Sequence, residues 1–350
     1  MAAKPAVQVV QVVRVEDAAA PRWNAFVDEC AASFYHRYEW RGVNREAFGH
    51  RTCYLAAIAG EQIVGIFPLV QVKSLLFGNI ACSLPFVNYG GPVTLSPDAE
   101  ELLLVEAERV AAEWGVAYLE IRTRKHLGER FPTADHKVSM TIQLEPDPEV
   151  LWNRFKTGHR QDIRKGYKNG LTAKIGAGEL LGDFYTVLSE SWRDLGTPVY
   201  RKSYLERIID TFPGSTRLTV VYAGDEPAAA AFDGIQGDTI EGMWMGTRAE
   251  FRSKLAGYVL YWENIKDGCE RGLKRFHLGR STVQSGGESF KKKWNAEPLQ
   301  LYWQYVLRNN STIPALNVDN PKYRLAISAW RKLPLQVTEL VGPFIARSIP

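Results

Sequence analysis

Alternating apolar and polar positions in "CYLAAIAGEQIVGIFPLVQV" (residues 53–72) predict two strands joined at Gly60-Glu61. The same reading holds for "RLTVVYAGDEPAAAAFDGIQGDTIEGMWMG" (217–246), which turns first at Gly224-Asp225. Each hairpin is followed by a segment with apolar residues at three- and four-residue steps, "PDAEELLLVEAERVAAEWG" (97–115) and "AGYVLYWENIKDGCERG" (256–272), which predicts an amphipathic helix. Each helix then ends on a glycine, Gly115 or Gly272, and a strand begins, "VAYLEIR" or "LKRFHLG". The order hairpin, helix, strand therefore occurs twice, and the expected class is α+β with two units of mixed central sheet.

Between the halves, "LEPDPEV" offers Asp147 as an N-cap, Pro148 at the first turn and Glu149 near the positive end of the dipole. A helix start there places the expected boundary between residues 1–146 and 147–310, with a tail over 311–350. Downstream, "PEVLWNRFK" and "HRQDIRKGYKNG" read as two short helices interrupted at Gly158, the second ending at Gly170. In the tail, Tyr323, Ile327 and Trp330 share a helical face flanked by Arg324, Arg331 and Lys332. Such a helix either packs on the body or lies against an anionic membrane surface.

Composition narrows the class. At 350 residues, 45% hydrophobic and 23% charged, the chain is globular and long enough for two cores. Cys30, Cys53, Cys82 and Cys269 are widely spaced, which suggests neither a zinc site nor a disulfide framework. No stretch approaches the roughly 20 apolar residues of a spanning helix, and the first residues lack the features of an export signal, so a cytoplasmic location is expected.

Charge is uneven. Residues 151–174 carry seven cations against Asp162 alone. Arg160, Arg164 and Lys168 recur every fourth residue and so share a helical face, which Lys156 continues if the break at Gly158 is small. Like charges at this spacing oppose the helix unless an anion relieves them, and guanidinium forks suit phosphate oxygens. The alternative is a solvated face whose repulsion salt screens.

Four motifs in order, "KTGHRQDIRKGYKNGL", "SWRDLGTPVYRKSYLERII", "LAGYVLYWENIKDGCERGLKRFHLGRS" and "GGESFKKKWNAEPLQLYWQY", resemble the second half of the FemAB family. "FYHRYEWRGV" and the tail "YRLAISAWRKLPLQVTELVGPFIARSIP" are similar to its exosortase/PEP-CTERM-associated branch. The resemblance implies tandem GNAT-like domains (the acyl-CoA N-acyltransferase fold). It also implies transfer from aminoacyl-tRNA, or another acyl donor, to an amine of a phosphate-bearing envelope or exopolysaccharide precursor. DNA is not an expected partner, no cofactor or metal is expected, and peripheral contact with the inner membrane is compatible with the tail.

By the same resemblance, Lys291 stands at the family's F-K lysine, with Phe290 and Trp294 anchoring its turn. Arg160 and Arg164 fall in the family's basic helix, and Arg193 and Tyr200 where substrate-contacting residues are found; Lys156, Tyr258 and Arg280 are further expected substrate contacts. A lysine ammonium beside the ester carbonyl would stabilise the oxyanion. Glu241 and Glu288 are the candidate bases, each with a plain structural alternative, and the substrate could supply the base itself. His277, on an alternating strand, reads as structural. A CoA-dependent N-acyltransferase is the second reading. Its pyrophosphate cradle would correspond to "RSKLAG", where Leu255 replaces the first glycine and Gly257 alone is kept. A non-catalytic polyanion- or membrane-binding protein is the third.

Overall fold

The computed structural model describes residues 9–74, 78–308, 312–314 and 321–349. Two compact units emerge from the packing, and each is assembled from non-contiguous stretches. One gathers the described residues through Ala134 with Tyr302–Ile313, and the other comprises Asp135–Leu301 with Pro314–Ile349.

In the first unit the strand order is Val10–Arg14, Arg51–Ala59, Gln62–Ser74, Gly78–Cys82, Tyr118–Thr123, and then the Tyr302–Leu307 part of Glu297–Leu307. The expected hairpin is present, with Tyr54 opposite Pro68 and Leu55 opposite Phe67. Helix Pro97–Glu113 packs Leu103, Leu104, Ala107 and Val110 onto this sheet, and its N-cap Ser96 accepts a hydrogen bond from Ala99 N at 3.2 Å.

One feature of this sheet decides where a ligand could enter. Gly78–Cys82 and Tyr118–Thr123 pair in parallel at Ala81↔Leu119 and Cys82↔Glu120. Residues 83–91 then close the space beyond. Ser83 N donates to Glu120 O at 2.9 Å, and Gly90 N and Gly91 N donate to Arg122 O at 3.0 and 2.9 Å. Gly91 is required by this approach, since a Cβ there would stand 2.5 Å from Thr123 Cγ2. Beneath them lies a buried network in which Arg122 donates to Glu120 at 2.6 Å and Tyr305 OH donates to the same carboxylate at 2.9 Å. The parallel junction of the first unit is therefore filled by its own chain.

In the second unit the strand order is Leu171–Gly176, Thr216–Ala223, Glu226–Gln236, Thr239–Thr247, Arg275–Thr282 and Thr133–Gln143. Thr133–Gln143 precedes the expected boundary at residue 146, yet from Asp135 onward it belongs to this unit. Helix Leu181–Leu195 covers one face through Phe184, which meets Phe232. Helix Ala256–Glu270 covers the other through Val259 and Leu260, against Ala229, Ala231 and Val221.

Asp147 caps its helix as expected, its Oδ1 accepting from Glu149 N at 2.9 Å. The break between the next two helices lies elsewhere than expected. Pro148–Arg154 ends before Phe155, and Thr157–Lys168 begins after the extended Lys156, so Gly158 falls inside the second helix. First-turn amides have no intrahelical partner, so a glycine there interrupts nothing.

Candidate active site

In the second unit the parallel strands part after three rungs. Thr239–Thr247 and Arg275–Thr282 pair at Thr239↔Arg275, Ile240↔Phe276 and Glu241↔His277, and at no later rung. The strands touch for one more residue: a Cβ on Gly242 would stand 2.9 Å from His277 O, and one on Gly279 would stand 3.0 Å from Gly242 O. Beyond that, Thr239–Thr247 pairs only with Glu226–Gln236, and Arg280–Thr282 only with Lys137–Ser139. Gly279, at φ 73°, sits in the bulge that turns the second strand away.

Lys291 lies at this parting. Its Nζ donates to Gly279 O at 2.9 Å and to Arg280 O at 3.1 Å, and the residue is 7% exposed. Burial, with the Arg280 guanidinium adding to it, pushes the ammonium down to about 7. An ammonium has three N–H donors, so two bonds to carbonyls leave one for a ligand.

The helix carrying Lys291, Gly286–Lys292, is fixed at both ends. At its start Ser285 Oγ accepts from Glu288 N at 3.2 Å, while the Glu288 carboxylate accepts from Gln284 N and from Lys292 Nζ at 2.8 Å. These two partners hold the Glu288 carboxyl below the usual range and commit it to capping, which removes it from the candidate bases. At its end Trp294 is fully buried, stacked on Tyr261 at 5.4 Å, with the His159 ring edge-on at 4.3 Å. Phe290 meets Tyr258 and Tyr261 edge-on at 5.1 and 5.2 Å. His159 is pushed down to about 4 by burial and by nearby Lys293, so it is neutral at pH 7. Lys293 Nζ donates to Tyr258 OH at 3.0 Å. Of the three consecutive lysines, one is buried at the junction, one pairs with the cap and one covers the aromatic cluster.

Glu241 occupies the last parallel rung and is 1% exposed. His277, opposite it, is also buried, and its Nδ1 and Thr141 Oγ1 share a hydrogen bond of 2.7 Å. Ser139, fully buried one position along the same face from Thr141, has an Oγ with no hydrogen-bond partner among the described residues. Ser139 and Thr141 are not among the expected site residues, and their strand precedes the expected boundary at residue 146. The alternation in "VSMTIQ" was the available signal, since it sets Ser139 and Thr141 together, opposite Met140 and Ile142.

The basic helix Thr157–Lys168 packs beside helix Ala256–Glu270, with Ile163 buried and Tyr167 OH bonded to Glu263. Gly166 makes the approach close, since a Cβ there would meet Val259 Cγ2 at 2.6 Å. Among the described residues Arg154 pairs with Glu145 at 2.8 Å, whereas Lys156, Arg160, Arg164 and Lys168 form no ion pair. Arg164 lies over the Trp152 ring at 5.2 Å. Two residues expected to contact substrate are engaged by other side chains. The Arg193 guanidinium is held by Asp194 at 2.8 Å, and Tyr200 is packed among Trp192, Tyr204 and Trp244 at 5.2–5.6 Å. In the "RSKLAG" loop, Leu255 takes the left-handed conformation (φ 67°) just before helix Ala256–Glu270.

A family model of the acetyltransferase (GNAT) domain matches residues 154–292, a span that begins at the basic segment and ends one residue past Lys291. No curated protein matches the chain. Among solved structures, FemX is similar over 91% of this chain and 100% of its own, at 14% identity and a TM-score of 0.62. L-PGS from Bacillus licheniformis is similar over 90% and 97%, at 14% identity and a TM-score of 0.55. A tandem GNAT protein from the clavulanic acid biosynthesis pathway is similar over 87% and 100%, at 11% identity and a TM-score of 0.56. The fold is a tandem GNAT fold, of the α+β class that the duplicated pattern predicts.

Proposed function

We propose that this protein is an N-acyltransferase of the FemAB type, and that the place where the parallel strands of its second unit part is the catalytic site. The observation carrying this reading is Lys291, a buried ammonium anchored on two carbonyls where the parallel strands part. In the reaction the acceptor amine attacks the ester carbonyl of the donor, forming a C–N bond. The tetrahedral oxyanion accepts the third N–H of Lys291, Glu241 takes a proton from the amine, and collapse expels the donor's alcohol oxygen, which is protonated as it leaves. Arg280, beside Lys291, and the unpaired cations of the basic helix would hold phosphates of donor or acceptor. Aminoacyl-tRNA is the proposed donor, and an envelope or exopolysaccharide precursor, as in the exosortase/PEP-CTERM-associated branch, the proposed acceptor.

A CoA-dependent N-acyltransferase is the second reading, for which helix Ala256–Glu270 would offer its N-terminus to the pyrophosphate. Calorimetry with CoA, set beside single-turnover transfer from charged tRNA, separates the two. Transfer from tRNA with no CoA binding is the expected result. Tight CoA binding without transfer from tRNA would overturn the choice of donor and leave the amide chemistry in place.

The basic helix carries its own prediction. Arg160→Ala with Arg164→Ala is expected to weaken binding of the phosphate-bearing partner and to reduce the slope of log K against log salt by about 0.7–0.9 per lost contact. A slope equal to that of wild type would leave the stripe as solvated surface.

A further inference from the structure

The last helix, Leu335–Ala346, is amphipathic in the reverse of the usual sense. Its buried face is small: Thr338, Gly342 and Ala346 lie against the body, and a Cβ on Gly342 would stand 3.1 Å from Val199 N. Its outward face is bulky and apolar. Val337, Leu340, Val341 and Phe344, spaced as one helical stripe, are 39%, 72%, 40% and 52% exposed. The preceding helix, Pro321–Trp330, adds Leu325 at 82% exposed and packs inward through Ile327, against Gly196. Trp330 also turns inward, toward Gly342; Tyr323, expected on the same face, lies outside the residues whose side chains are described.

The sequence allows two readings of this tail, packing or surface contact, and the helices present one face to the body and another to solvent. A water-facing helix ordinarily places charged residues where this one places leucine and phenylalanine. The charges stand around the stripe instead. Residues 321–349 hold five cations against Glu339 alone. Arg201 lies over the Phe344 ring at 4.8 Å, and Arg331 and Lys332 are exposed at the turn between the helices.

We infer that this helix pair docks on an anionic phospholipid surface, with the stripe entering the acyl boundary and the surrounding cations meeting lipid phosphates. Among the described residues no helix is long and apolar enough to cross a membrane, so the contact lies in the plane of the interface. The inference stands independently of the transfer chemistry, because none of these residues belongs to the Lys291 site.

The test is sedimentation of the full-length protein with vesicles of phosphatidylcholine containing 30% phosphatidylglycerol (about this fraction gives the surface a negative potential that attracts basic segments), and with phosphatidylcholine alone. Binding is expected to the anionic vesicles, to fall at least tenfold in Leu340→Asp with Phe344→Asp, and to lose much of its salt dependence in Arg331→Ala with Lys332→Ala. Circular dichroism and size-exclusion chromatography on each variant show that the fold is retained, and the single substitution Leu340→Ser serves if the double variant is unstable. Failure of the wild type to bind anionic vesicles would overturn the inference. So would equal binding by the Leu340 variant, or a wild-type dimer that the same substitution makes monomeric without vesicle binding, which would assign the stripe to a second copy of the chain.

Discussion

Lys291→Met lowers single-turnover transfer by about two to three orders of magnitude and leaves partner binding nearly unchanged, because an oxyanion donor acts chiefly in the transition state. The pH dependence gives this result its sign. With the ammonium held at about 7, an enzyme that needs the charged form loses this contribution as pH rises through 7, and Lys291→Met removes that limb. A lysine acting as a neutral base would show the opposite limb, rising through the same pH. Stability supplies a readout that does not depend on substrate. The unfolded lysine titrates near the ordinary value of 10.5 and the folded one near 7, so between these values the unfolded chain carries the extra proton and stability increases with pH. That increase is absent from Lys291→Met. Flat turnover and a flat stability difference across this window would together remove Lys291 from the mechanism.

What the sequence disclosed about this site depended on whether a residue's role was local. The cap at Asp147 and the hairpin turns at Gly60 and Gly224 are each set by near neighbours, and each is visible in the order of residues. Lys291 was singled out by its place between Phe290 and Trp294, but its burial is long-range: it depends on a bulge at Gly279 and on an aromatic cluster drawn from three helices. Exchange of strands between the units was invisible for the same reason. Nothing within "TADHKVSMTIQ" tells the strand that its partner is Arg275–Thr282, far along the chain, so Thr141 and Ser139 were missed. Glu288 misled in the other direction: a carboxylate three residues after a serine is the signature of a helix start, and here that local role prevailed over the catalytic one.

The contrast between the two parallel junctions bears on the base. In the first unit the rung Cys82↔Glu120 is followed by residues 83–91 and by the Arg122–Glu120–Tyr305 network, so its buried carboxylate is neutralised in place. In the second, the rung Glu241↔His277 is followed by parting strands and Lys291. On the proposed reading the Glu241 carboxylate serves the transfer and the Glu120 carboxylate serves the fold.

Glu241→Gln tests this division. The substitution keeps shape and volume but cannot take a proton, and loss of a general base costs about 10²- to 10⁴-fold in turnover. The expected result is a fall of that size in kcat with little change in KM. The residual rate should rise with pH as the acceptor amine loses its proton in solution without help from the enzyme. Thr141→Val, which removes the partner of His277 Nδ1, should reduce turnover less, since it disturbs the orientation of a neighbour and not the proton acceptor. Wild-type turnover in Glu241→Gln would transfer the base to the substrate's own phosphate or carboxylate. The junction would then act through Lys291 alone, stabilising charge without moving a proton.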